Sequence, residues 1–325
     1  MKKKEVLYFH IGYPKTASSL LQKYVFYKND KINYLGIPLK KNWGTEEWDL
    51  YEFLLFLFSS STKNYHENYS KYLNKFKSIN FYQNQINLIS HDTLTNTIYL
   101  DDYDIYEILD RIHNFFVTSL GYEIKIFFSI RNQSNIITSY YAQFYRKLIK
   151  INIKWKKFRN FLDFFKSLET KKNNQSNSIP KKIFDSFFYF SLYKFLNDKF
   201  GKENVKILLY EDLLFNYEFF FKELESFLQI DLQSYSKLIN AMENKSNLID
   251  EKEYERKYVL IYKTLAKYIN NKNIKKIFYR LLTADKILVS PNQDKDIKNY
   301  YYKENYKLNK ILNNRLQKYN YFDNT

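Results

Sequence analysis

The chain has no cysteine, which excludes a disulfide framework and any thiolate metal site. Its four histidines, His10, His66, His91 and His113, lie far apart. A metal centre would therefore have to lean on carboxylates, and none is expected. Arginine, glycine, proline and alanine are all scarce: 325 residues hold five Gly and four Pro, and seven Arg stand among the 52 basic residues. The abundant residues are Lys, Asn, Ile, Tyr and Phe, the set that AT-rich codons specify, so genome composition accounts for much of the lysine excess. The net charge of +17 attracts nucleic acid, anionic membranes and anionic small molecules alike. Because the lysines are spread along the whole chain, no specific nucleic-acid partner is expected, while peripheral contact with a membrane through the basic surface stays open. An arginine at a phosphate-like position carries more information in such a sequence than any lysine.

Long apolar runs are missing too. The longest, over 51–58 and 187–196, fall short of the roughly 20 residues that a membrane span needs. The start is basic, but the apolar run 6–11 is too short for a signal peptide and runs straight into a turn. The expectation is a cytoplasmic protein. With apolar residues at 45%, the chain is globular rather than disordered.

Four short apolar runs rich in β-branched and aromatic residues read as buried strands: 6–11, 86–90, 124–130 and 205–210. Helical patterns separate or follow them at 103–120, 134–148, 182–198 and 213–227. Strands alternating with helices predict a three-layer α/β fold, with a central parallel sheet of about four to five strands flanked by helices. After residue 230 no strand is expected. Helices over roughly 252–270, 274–282 and 296–319 predict a helical C-terminal extension, so that 1–230 forms an α/β nucleotide-binding core and 231–325 extends the same domain. The polar stretch 170–180 reads as an exposed loop.

Two places carry chemistry. The first strand runs into Gly12-Tyr13-Pro14-Lys15-Thr16-Ala17-Ser18-Ser19, and a helix opens at Leu20. A loop between strand and helix start wraps backbone N–H groups around an anion, and the helix terminus adds its partial positive charge. Lys15 brings a point charge, and Thr16, Ser18 and Ser19 bring hydroxyls. A Walker A loop needs a second glycine before its lysine, and this loop is shorter and lacks it. The bland alternative is an ordinary strand-to-helix turn with serine caps. The second place follows the third run, where Arg131 stands at a strand's carboxyl end and Ser139 eight residues on. An arginine fork plus a hydroxyl can hold a terminal phosphate. Taken singly, Arg131 reads equally as a surface ion pair and Ser139 as a helix-interior serine.

The order Tyr-Pro-Lys-Thr-Ala-Ser-Ser resembles the 5'-phosphosulfate loop of sulfotransferases that use 3'-phosphoadenosine-5'-phosphosulfate (PAPS). His10 to Thr16 is similar to the bacterial branch of that family. Arg131 and Ser139, with aromatics after the serine, resemble its 3'-phosphate motif. More weakly, Val205 to Leu213, ending Tyr210-Glu211-Asp212-Leu213, and the stretch 300–312 with its asparagines resemble further family segments. The family's usual glycine is Ala17 here; alanine cannot take φ > 0 freely, so a right-handed backbone is expected at that position. The Arg-Lys-Gly triplet of the eukaryotic cytosolic branch is absent.

The resemblance implies sulfuryl transfer from PAPS to a hydroxyl on a small molecule or glycan, such as a carbohydrate or another cell-surface or secondary metabolite, with no metal required. Lys15 would neutralise the leaving phosphate, and Gly12 to Ser19 with Arg131 and Ser139 would bind the nucleotide. Family members use His or Glu as general base. At the end of the second run, His91 titrates in the useful range and Asp92 stands where related sequences carry Glu. As base His91 is slightly favoured over Asp92, against a reading of both as cap and loop residues. Glu211 and Asp212 are expected to cap the next helix and orient neighbours. Trp43 and Trp48 are candidates for the acceptor side, with buried packing the stronger alternative. Two other classes remain: a P-loop kinase-like phosphotransferase using a nucleoside triphosphate, and a non-catalytic basic protein binding nucleic acid or membrane. Acceptor identity and oligomeric state are open.

Overall fold

In the computed structural model, the residues described are 5–36, 46–77, 85–91, 104–139, 184–232 and 289–323, together with a few short pieces between 254 and 286. Five strands build the central sheet: β1 (Val6–Ile11), β2 (Ile32–Tyr34), β3 (Ile86–His91), β4 (Glu123–Ile130) and β5 (Val205–Leu209). They pair in the order β2-β3-β1-β4-β5, every pair parallel. Strands buried on both faces need continuous apolar runs rather than alternation. β1 and β4 have them, with Leu7, Phe9, Ile11, Ile126, Phe128 and Ile130 wholly enclosed. The three-residue edge strand β2 is too short to leave a periodic signal.

The two faces are covered by different helices. One face of the sheet (Tyr8, Leu88, Phe127, Leu208) packs against α1 (Ser18–Leu21) and its π-helical continuation Gln22–Phe26. Ile11, Ile89 and Ile130 on the other face pack against α2 (Glu46–Ser59), α3 (Thr62–Lys77) and α4 (Ile105–Ile112). α4 starts where Asp104 accepts a hydrogen bond from Tyr106 N at 2.8 Å, two residues after the expected start, and its pattern runs on as a π-helix to Ser119. After β4, helix α5 is described over 133–139.

Next come α6 (Tyr189–Phe200), then α7 (Tyr210–Phe215) and α8 (Tyr217–Leu228) after β5. The expected single helix over 213–227 is thus two. They break at Asn216, whose non-helical backbone stops α7 and whose side chain accepts from Phe219 N to start α8.

The C-terminal part differs from expectation in two respects, the second being a break at 312–314 in the helix expected over 296–319. Strands β6 (Tyr254–Glu255) and β7 (Asp285–Lys286) pair antiparallel, where the sequence predicts a helix and no strand. A partner 30 residues away along the chain overrides the local pattern, as it often does for short strands. The expected loop 170–180 and most of the helices expected over 252–282 lie outside the described residues.

Helix α9 (Pro291–Ile311) opens with a full capping box, Ser290 and Gln293 satisfying each other's backbone N–H. Ile297, Tyr301 and Leu308 bury in the same apolar cluster as the sheet. Left-handed Asn313 and Asn314 turn the chain into α10 (Arg315–Lys318). No helix among the described residues is long and apolar enough to cross a membrane.

Candidate active site

The strand order decides where a ligand can sit. From β1 the chain leaves toward β2, on one side of the sheet; from β4 it leaves toward β5, on the other. β1 and β4 are neighbours, and their connections cover opposite faces. The carboxyl ends of such a pair open a crevice, the switch point where open α/β sheets bind ligands. The loop 12–19 leaves from β1 there, and Arg131 leaves from β4.

The loop is held at three points. Gly12 N donates to His91 O at 3.3 Å, which extends the β1–β3 ladder by one step. The Tyr13 ring is fully enclosed, packs edge-on against Tyr189 and donates its hydroxyl to Ser186 O at 2.8 Å. Tyr13 is therefore the loop's anchor, and its side chain faces the core rather than the crevice. Its carbonyl in turn accepts from Thr16 Oγ1 at 2.7 Å and from Ser18 Oγ at 3.2 Å. The two hydroxyls draw the loop into a tight ring whose interior is backbone. Ser19 is exposed, while Pro14, Lys15 and Ala17 are half-buried.

The backbone corrects one expectation. Ala17 has φ 66, and Lys15 has φ 67. Both lie in the left-handed region, although neither is glycine, and left-handed geometry costs an L-residue roughly 1–2 kcal/mol. The expected right-handed Ala17 is not found; it is the N-cap of α1, and its carbonyl accepts from both Leu20 N and Leu21 N, at 2.9 and 3.0 Å. Alternating left- and right-handed residues turn successive N–H groups toward one point, the geometry of an anion nest.

Arg131 crosses to this loop. Its Nη1 donates to Lys15 O at 3.1 Å, and its guanidinium lies over the Tyr210 ring, 4.6 Å from the centroid. Tyr189 donates its hydroxyl to the carbonyl of Arg131 at 2.9 Å. Ser139 is half-buried at the far end of the described part of α5. Lys15 and Arg131, 116 residues apart in sequence, thus meet at one crevice.

Beneath the loop, on the α1 side of the sheet, lies a buried polar group of three. His10 Nδ1 and Ser90 Oγ are 2.7 Å apart, and Ser90 Oγ accepts from Gln22 Nε2 at 3.0 Å. These bonds join β1, β3 and the π-helix. The His10 ring stacks on Phe127, and burial lowers its pKa to about 3. His10 is thus a buried link between β1 and β3.

His91 looks toward the opposite face. Its ring is wholly enclosed, stacked on Tyr51 and met edge-on by Phe58. Burial lowers its pKa to about 3. The imidazole is neutral at pH 7 but only weakly basic, and in this state it is sealed from solvent. To act as a base, the ring would have to leave its packing against Tyr51 and Phe58. Asp92 and Trp43 lie outside the described residues, and so does the side chain of Trp48.

Glu211 and Asp212 stand in the first turn of α7 and orient neighbours, while the N-cap residue Leu209 itself makes no side-chain cap. Glu211 Oε1 accepts from Asn132 N at 2.8 Å, and its Oε2 from Tyr321 OH at 2.8 Å. Burial raises its pKa, and those two hydrogen bonds pull the other way. Asp212 accepts from Tyr319 OH at 2.6 Å and pairs with Arg315. Sequence reading missed Asn132, Gln133 and Tyr321 as partners of this site; the asparagine-bearing stretch 300–312 was the available signal. No group of metal-ligating side chains occurs among the described residues.

No protein-family model and no curated protein sequence matches the chain. Solved structures do match. A sulfotransferase from Alicyclobacillus acidocaldarius aligns over 96% of this chain and 97% of its own, at 13% identity and TM-score 0.51. Mouse sulfotransferase SULT7A1, solved in complex with PAP, aligns over 74% of this chain and 65% of its own, at 16% identity and TM-score 0.38. The sulfotransferase domain of the Synechococcus PCC 7002 olefin synthase aligns over 71% and 76%, at 12% identity and TM-score 0.36. The chain thus has a three-layer α/β fold with a five-stranded parallel sheet, similar over nearly its whole length to that of the Alicyclobacillus acidocaldarius sulfotransferase.

Proposed function

We propose that the chain is a sulfotransferase that moves a sulfuryl group from PAPS to a hydroxyl on a small molecule or glycan. The observation that carries this reading is the meeting of Lys15 and Arg131 at the β1/β4 switch point. A loop with a lysine, two hydroxyls and a helix start suits one anionic group. A separate arginine, steadied on an aromatic ring, suits a second one. A nucleotide with anionic groups at both ends needs this pair of sites. The fold likeness to a sulfotransferase supports it, and so does the loop sequence.

The donor set fits the chemistry. In sulfuryl transfer the acceptor oxygen forms a bond to sulfur while the bond from sulfur to the phosphate oxygen breaks, and the electron pair stays on that oxygen. Catalysis is mostly positioning and charge stabilisation. Lys15 would sit against the leaving phosphate and balance its growing charge. Thr16 and Ser18, now bonded to Tyr13 O, would rotate their hydroxyls to the anion and exchange one acceptor for another. Arg131, with Ser139, would hold the 3'-phosphate. The protein's own cations supply the charge, so the reading requires no metal. The acceptor's proton must go to a base. The burial of His91 shifts our assignment to Asp92, the next residue in the sequence after β3.

Thermal-shift titration decides between this reading and a nucleoside-triphosphate enzyme. Adenosine-3',5'-bisphosphate should stabilise the protein, and Arg131→Ala should abolish the shift. Stabilisation by ATP–Mg alone would sink the proposal.

A further inference from the structure

We infer that the C-terminal tail, residues 315–323, is a positioning element for the phosphate site at Arg131, and that Glu211 is the residue through which it acts. The inference deepens the sulfotransferase reading and rests on it.

Three consecutive residues leave the end of β4, and each is gripped. Arg131 is fixed by Tyr189 and lies on Tyr210. Asn132 gives its backbone N–H to Glu211 and its side-chain amide to the carbonyls of Tyr319 and Asn320, at 3.3 and 2.9 Å. Gln133 exchanges two hydrogen bonds with Asn305, at 2.8 and 3.0 Å. Asn305 spends its second amide proton on Tyr321 O at 3.0 Å.

The tail is shaped to do this. Left-handed Asn320 (φ 61) turns the chain between the two tyrosines. Tyr319 then reaches Asp212 and Tyr321 reaches Glu211, so neighbouring carboxylates each accept one tail hydroxyl. Tyr210, the platform under Arg131, immediately precedes those carboxylates. A continuous path therefore runs from Tyr321 through Glu211 and Asn132 to Arg131, and from Arg131 to Lys15 O.

Stability alone does not call for such an arrangement. Glu211, Asn132, Gln133, Asn305 and Tyr321 are all buried, and apolar side chains of similar volume would serve a core as well or better. What a fully satisfied buried network adds is one defined geometry. Here that geometry belongs to the backbone from which Arg131 projects.

The test compares two nucleotides on wild type, Tyr321→Phe and Glu211→Gln. Tyr321→Phe removes one hydroxyl and keeps the ring packing. Affinities for adenosine-3',5'-bisphosphate and for adenosine-5'-monophosphate, which lacks the 3'-phosphate, are measured by calorimetry. Losing one hydrogen bond to a charged group should weaken bisphosphate binding about tenfold. The monophosphate affinity should stay unchanged, and the KM for PAPS should rise with little change in kcat. Equal losses for both nucleotides, or a lowered Tm with both affinities intact, would leave the tail a merely structural part and overturn the inference. If the wild type binds neither nucleotide, the sulfotransferase reading itself falls.

Discussion

Arg131 donates a hydrogen bond to the carbonyl oxygen of Lys15 at 3.1 Å. The contact uses Lys15's backbone and ties the loop that leaves β1 to the guanidinium that leaves β4. The guanidinium also lies over the Tyr210 ring, a favourable cation–π contact. Left-handed Lys15 and Ala17 and the steadied guanidinium are the features of a site preorganised for an anion.

The separation of roles can be read from kinetics. Lys15→Ala should lower kcat by about 10²–10³ while leaving Tm within a few degrees. Arg131→Ala should act mainly on PAPS affinity. Sulfuryl-transfer assays on both variants check this, and full activity in Lys15→Ala would remove the mechanism.

Backbone strain at Ala17 gives a stability series. With φ at 66, Ala17→Gly relieves roughly 1–2 kcal/mol of left-handed strain. It gives back about 0.4–1 kcal/mol through the freer unfolded chain. A small net gain is expected. Ala17→Val, β-branched in the same conformation, should destabilise clearly. The expected Tm order is Gly, then Ala, then Val, and the reverse order would show that the loop is not held this way in solution.

Two buried histidines set an acid limit. Burial lowers both His10 and His91 to about 3, against about 6.5 in the unfolded chain. The unfolded state therefore takes up these protons first. Their contribution to stability is complete above pH 6.5 and declines as pH falls toward 3. Between pH 6.5 and 5 each should cost about 1.4 kcal/mol per pH unit. Urea unfolding of wild type and of His10→Gln and His91→Gln across that window checks the slope, which should be shallower in each variant.

The base is testable by pairwise replacement. Asp92→Asn should reduce kcat by about 10²–10⁴ and flatten the acidic limb of its pH profile. His91→Gln should act chiefly on stability. A catalytic loss confined to His91→Gln would reverse the assignment and imply that the β3 end opens during turnover.

Much of this was legible in the sequence, for reasons that differ by residue. β1, β4 and β5 are continuous apolar runs, and parallel strands buried on both faces announce themselves that way. Lys15 and Arg131 were found because each follows such a run, where a crevice must open. The Ala17 conformation was misjudged, since side-chain size says what a backbone prefers and not what its hydrogen bonds demand. The burial of His91 could not be read from the sequence, because it depends on α2, whose Tyr51 and Phe58 come from 33 or more residues away. The network of Asn132, Gln133 and Asn305 left almost no trace. Amide side chains are common in this composition, and only the fold shows which of them face each other.

The central place of β1 in the sheet also governs when the protein becomes able to bind. The strand that carries the loop pairs with β3 and β4 on its two sides. Its polar anchor Ser90 is 80 residues downstream, and Arg131 is 116 residues from Lys15. Closing loops of that length is entropically costly and slow. A nascent chain that has made only its first strand and helix holds the loop's sequence without its shape. On the proposed reading, recognition of an anion therefore cannot precede the synthesis of Arg131 and its pairing into the sheet.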